Sequence, residues 1–143
     1  MKSYQYLVFW ALAVVFVSGC ISQSAAKASL DAPFQLKFAE SATIDSENIK
    51  ITFKNITQDS RCPSGVQCFW RGVATIEIDV SKGNERVGTF ELSDYDIYNY
   101  TSRAIAGEYT ITLKGLEPYP KTSEKISPAD YVATLVVSRN PSQ

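Results

Sequence analysis

The sequence predicts an all-β fold, an antiparallel β-sandwich of about seven strands, immunoglobulin-like in the broad sense. Three observations carry this. Apolar residues recur at every second position in run after run, turn residues separate the runs, and beyond the N-terminus no stretch keeps a helical period. A small β-barrel is the alternative architecture.

The N-terminus reads separately from the fold. Lys2 precedes an unbroken apolar run from Leu7 to Val17, followed by Val17-Ser18-Gly19-Cys20. The run is short for a bilayer core, which takes roughly 20 residues, and has the length of a signal-peptide core. Small residues before a cysteine look like a lipobox. Residues 1–19 are therefore expected as a lipoprotein signal peptide, with Cys20 the lipidated first residue; an uncleaved anchor is the alternative. Residues 20–32, small and polar, read as a flexible tether. One β-sandwich domain is expected over 33–139, with a disordered tail at 140–143.

The strands follow in order. Phe34, Leu36 and Phe38 alternate with polar residues, as do Ile49, Ile51 and Phe53, then Ala74, Ile76, Ile78 and Val80, then Tyr109, Ile111 and Leu113. Such alternation suits strands with one buried and one wet face. Val87–Leu92 is a weaker strand. Tyr131–Val137 is apolar nearly throughout, which suits a central strand covered on both faces. Ser81-Lys82-Gly83-Asn84 predicts a hairpin, and Pro118 and Pro120 end the Ile111 strand because proline cannot donate to a ladder.

Between the expected strands Ile49–Asn55 and Ala74–Val80 lies Ser60-Arg61-Cys62-Pro63-Ser64-Gly65-Val66-Gln67-Cys68-Phe69-Trp70-Arg71-Gly72. At roughly 13 residues it is longer than most hairpin links. With Cys20 lipidated, Cys62 and Cys68 are the two cysteines left of three, and beyond the cytoplasm they are expected to pair. A redox dithiol would favour Cys-x-x-Cys. A metal site needs three or four ligands, and the chain has no histidine and only Met1 as methionine. Trp70 either closes one end of the core or offers an exposed ring, on which Arg61 and Arg71 could stack.

The stretch Asp59-Ser60-Arg61-Cys62-Pro63-Ser64-Gly65-Val66-Gln67-Cys68-Phe69-Trp70-Arg71-Gly72 resembles a D-S-R-C-P-x-x-V-x-C-x-W-x-G signature of small exported prokaryotic proteins, many lipoprotein-like and of unknown function. Pro118-Tyr119-Pro120 and Asp130-Tyr131-Val132-Ala133-Thr134-Leu135 are similar to the C-terminal half of that group. Arg71 departs from the small residue expected before the glycine. The resemblance implies a compact exported β domain and transfers no catalytic residue.

A second region, Glu91 to Thr101, holds Tyr95, Tyr98 and Tyr100, which suit a sugar ring or a protein partner but also edge-strand packing. Asp94 and Asp96 could give two oxygens to Ca²⁺, which wants six to eight; a solvated acidic loop is the plainer reading. Asn55-Ile56-Thr57 and Asn99-Tyr100-Thr101 are sequons, used only in a host that glycosylates exported proteins.

The chain's 143 residues and 45% hydrophobic content suffice for one packed domain, and the net charge of −1 with no basic cluster argues against nucleic acid. Without histidine, with its cysteines paired and with no phosphate loop or nucleophile elbow, no enzymatic activity and no cofactor are expected. The sequence thus points to an extracytoplasmic lipoprotein, at the cell surface or in the periplasm, held to the membrane by its lipid. It would bind an envelope protein or glycan through a ligand patch of Arg61, Trp70, Arg71, Tyr95, Tyr98 and Tyr100. A structural envelope component is the alternative, and a carboxylate-based hydrolase (Asp94/Asp96 or Glu77/Asp79) a third reading.

Overall fold

Residues 25–122 and 124–141 are described by a computed structural model. The signal segment and Cys20 lie outside them. Among the described residues the chain forms nine strands in two sheets. They are β1 (Ala26–Lys27), β2 (Phe34–Lys37), β3 (Ser41–Ile44), β4 (Ile49–Asp59), β5 (Ala74–Lys82), β6 (Glu85–Ser93), β7 (Arg103–Ala106), β8 (Tyr109–Glu117) and β9 (Val132–Arg139). One sheet runs β1-β3-β4-β5-β6 and the other β2-β9-β8-β7. From β3 to β9 the strands follow one another around the sandwich, and β2 pairs back onto β9.

Alternation is what builds the core. Ile49, Ile51 and Phe53 of β4 and Ile76, Ile78 and Val80 of β5 are buried, facing Leu36, Ile111, Leu113, Leu135 and Val137 of the other sheet. Burying side chains of this size contributes about 1.5–3 kcal/mol each. β9 is an interior strand, as expected, yet its burial alternates: Ala133, Leu135 and Val137 are buried while Val132, Thr134 and Val136 are half-buried. One face of β9 is therefore only partly covered, because among the described residues no second layer packs outside this sheet.

Several boundaries differ from the sequence reading. β4 continues past Asn55 to Asp59, through register shifts between Phe53 and Asn55 and between Ile56 and Gln58. Each extra residue breaks the period-two pattern without ending the strand. β3 and β7 have four residues each and bury two, too few for a pattern to stand out. The tether was expected to extend to residue 32. Instead Ala26–Lys27 pairs in parallel with Ala42–Thr43, and Leu30 packs against the core. The tail was expected from residue 140, yet the Asn140 amide donates to the Glu108 carbonyl at 2.7 Å. The hairpin between β5 and β6 turns at Gly83-Asn84, with Gly83 in the left-handed region (φ 61°).

The topology collects the long links at one end. β4 ends at Asp59 opposite Ala74, β6 ends at Ser93 opposite Thr75, and β8 ends at Glu117 opposite Val132. Ser64 N–H donates to the Pro120 carbonyl at 2.9 Å, which joins the β4–β5 and β8–β9 links. These links make up the loop end of the sandwich.

Candidate functional site

The loop end is built around a buried ion pair. Arg61 is 5% exposed. Its Nε donates to Asp59 Oδ1 at 2.9 Å and its Nη2 to Asp59 Oδ2 at 2.7 Å, while Nη1 and Nη2 reach the Leu116 and Pro118 carbonyls at 2.6 and 2.9 Å. The Tyr131 hydroxyl donates to Asp59 Oδ2 at 2.8 Å. Burial pushes the Asp59 carboxyl up, but the hydrogen bonds from Arg61 and Tyr131 and the Arg61 charge outweigh it and hold the group below its usual value. Burial, then the bond to Asp59 and its charge, push the Tyr131 hydroxyl up to about 12.

Four further contacts close the neck of the loop. The Ser60 amide and hydroxyl both donate to the Val73 carbonyl, at 2.9 and 3.0 Å, and the hydroxyl accepts from Val73 N–H. Cys62 N–H donates to the Arg71 carbonyl at 2.8 Å. Cys62 and Cys68 form a disulfide with Cα atoms 5.9 Å apart, which fits an oxidising compartment outside the cytoplasm. Gly72 sits at φ 72°, where an added Cβ would lie 1.8 Å from the Ser60 carbonyl oxygen. Only glycine lets the two backbones approach this closely.

The β6–β7 link packs beside the loop. The Tyr95 hydroxyl donates to the Gly72 carbonyl at 2.7 Å, and the Arg71 guanidinium stacks 4.1 Å from the Tyr95 ring centroid. Asp94 accepts from Ala74 N–H at 3.0 Å, and Asp96 accepts from Ser102 N–H at 2.5 Å.

The expected ligand patch therefore divides. Trp70 (48% exposed), Tyr98 (92% exposed) and Arg71 face solvent at the loop end. Arg61, Tyr95 and Tyr100 are instead held against the fold. Arg61 is buried by its bonds to Asp59 and two carbonyls, and Tyr95 and Tyr100 are half-buried, the Tyr100 hydroxyl donating to Gln58 Oε1 at 3.2 Å. Trp70 does not close the core, because the disulfide loop projects past the strand ends. Neither arginine stacks on it: Arg61 lies 5.0 Å from the Tyr119 centroid and Arg71 over Tyr95. Asp94 and Asp96 are turned to separate backbone amides and do not converge on a cation; among the described residues no cluster of three His, Cys, Asp or Glu could hold one. Cys20 lies outside the described residues. The sequons place Asn55 on an exposed position of β4 and Asn99 in the exposed β6–β7 link.

Sequence reasoning missed Phe69, Val66 and Tyr119, all exposed at this end. Phe69 is fully exposed. Only its place between Cys68 and Trp70, in a loop too short to fold back over it, could have signalled this. A cleft of about 290 Å³ between the loop and the β8–β9 link is floored by Asp59, Arg61 and Tyr131 and rimmed by Lys121 and Lys125. Its floor groups already bond one another. A larger hollow of about 450 Å³ lies at the opposite end, around Gly107, Glu108, Arg139 and Asn140. There Arg139 pairs with Glu47, and no nucleophile stands beside a base.

No family model, curated protein or solved structure matches the chain. Among the described residues no helix is long and apolar enough to cross a membrane.

Proposed function

We propose that the protein is a membrane-tethered, extracytoplasmic binding module without catalytic activity, which engages its partner end-on through the disulfide loop and the tyrosine link beside it. One observation carries this reading. A loop locked at its base by a disulfide, a buried ion pair and a glycine-only contact holds Phe69 and Trp70 out in solvent. Large apolar side chains kept rigid and exposed lose little entropy on binding and have much surface to bury. The signature residues divide accordingly: Asp59, Ser60, Arg61, Cys62, Cys68 and Gly72 shape the loop, while Val66 and Trp70 are left outside.

The projecting tip suits a broad partner and not a small molecule enclosed in a pocket. A photoreactive residue at position 69 of the full chain, activated in the native envelope, tests this. Cross-links to an envelope component are expected from position 69 and none from Asn84 at the opposite end. Equal or absent labelling at the two positions overturns the reading, and cross-links to a second copy alone make the protein a self-assembling structural component instead.

A further inference from the structure

We infer that the surface engaged by the loop end is the lipid bilayer interface itself, with Val66, Phe69 and Trp70 seated among the headgroups. This rests on the end-on reading above and on an acyl anchor at Cys20.

The length of the link restricts the geometry. Five residues separate Cys20 from Ala26, the first residue of β1, so the two are at most about 20 Å apart. A domain held this close keeps one of its faces against the membrane. β1 runs parallel to β3, which starts opposite Thr52 and runs toward the Ile49 end of β4. The N-terminal end of β1 therefore points toward the loop end. Ala26 is level with Ile51, and Ile51 to Asp59 spans six residue steps of the facing strand β5, Val80 to Ala74, or about 20 Å at the usual rise. Even at full stretch a link of about 20 Å thus reaches no farther than the strand tips. Whenever the loop end faces the membrane, the disulfide loop beyond Asp59 has to enter the interface.

The two ends differ in what they would present. Of the seven exposed large hydrophobic residues among the described ones, Val66, Phe69, Trp70, Tyr98 and Tyr119 are at the loop end. Val87 and Ile105 stand on strands β6 and β7. Links at the opposite end carry none of the seven and hold Asp45, Glu47 and Glu108, each paired with a surface base. Tryptophan, tyrosine and phenylalanine are the residues that settle at the headgroup level, with an apolar body inward and any polar tip outward. The acyl chains at Cys20 would hold the protein to the membrane, and rings seated at the interface would add to that hold and fix which end of the domain faces it. Charge adds little: beside the Asp59–Arg61 pair, Arg71, Arg103, Lys121 and Lys125 at this end are offset by Asp94, Asp96, Glu117, Glu124 and Asp130. Seating should therefore occur on uncharged lipid and respond little to salt.

Trp70 is the only tryptophan after Cys20, so it reports its own environment. The native lipidated protein is placed in phosphatidylcholine vesicles with bromine on the acyl chains near the headgroup. Trp70 emission is expected to move to shorter wavelength and to fall roughly twofold against unbrominated vesicles, as for a ring at the interface, and Phe69→Ser should reduce both changes. Circular dichroism checks that this variant keeps its fold. Equal emission in the two kinds of vesicle, with Trp70 open to acrylamide, overturns the lipid inference. If position 69 still cross-links to an envelope protein, the end-on reading stands and only the lipid is wrong. If it cross-links to nothing, both fall. A protein that fails to float with vesicles and keeps its leader by mass removes the acyl anchor, and the inference with it.

Discussion

At the residue scale, two positions decide whether the loop has a shape. Gly72→Ala would drive a Cβ into the Ser60 carbonyl at a φ that alanine resists. A loss of about 3 kcal/mol or more is expected in chemical denaturation. Arg61→Ala leaves the Asp59 carboxylate buried without its partner and should cost roughly 3–5 kcal/mol. That figure measures a stranded charge and not the worth of the pair. Linkage gives two pH windows. Asp59 lies below its unfolded value in the folded protein, so its contribution is whole above about pH 4 and is lost as pH falls through the folded value. Tyr131, raised to about 12, contributes fully below its unfolded value and loses that contribution as pH rises toward 12. Urea unfolding between about pH 10 and 12 should show stability falling with pH. Tyr131→Phe should make that slope shallower, leaving the share of Lys82, which Tyr109 and Glu108 hold above its usual value, and a slope unchanged in the variant would mean that Tyr131 is not a source of it.

At the element scale, the disulfide closes a loop of seven residues within the β4–β5 link. Replacing both cysteines with serine should lower stability by about 2 kcal/mol on the chain-entropy account. The strands themselves should persist, since both cysteines lie outside the strands and outside the core cluster. Phe69→Ser should do the reverse. Its ring is fully exposed, so stability should stay within about 0.5 kcal/mol of wild type by denaturation, while engagement of the partner is lost. Paired in this way, the variants separate the loop's scaffold from its contact surface. A Phe69→Ser protein that unfolds early would mean that the ring packs in solution.

At the scale of the whole molecule, the sandwich works as a spacer with unlike ends. The opposite end is tied by polar contacts, with the Tyr109 hydroxyl donating to Glu47 Oε2 at 2.6 Å and Arg139 paired to the same carboxylate. Hydrogen bonding from Tyr109 leads the effects that hold Glu47 below its usual value. The loop end carries the exposed aromatic residues. Moving the anchor should therefore change the protein's behaviour without touching its fold. Lengthening the 21–25 link with about ten Gly/Ser residues, which adds reach on the order of tens of ångströms, should leave thermal unfolding unchanged and weaken the protection of Trp70 at the vesicle surface.

The strands with one wet face were readable because period-two burial is written residue by residue, as in Ile76, Ile78 and Val80. β3 and β7 were not, since four residues give too little pattern, and β4 was cut short where bulges broke its alternation. The sequence by itself determined the all-β class, the hairpin at Gly83 and the pairing of Cys62 with Cys68, because each depends on local pattern or on a count of sulfur atoms. That the strands form two sheets and not a closed barrel came from the structure. Only the tertiary structure decided which loop residues turn inward. Arg61 and Trp70 lie nine positions apart in one loop, yet one is buried and the other is not. The Leu116 and Pro118 carbonyls that receive Arg61 come from a strand end more than fifty residues away, and a partner at that distance leaves no mark on the local sequence.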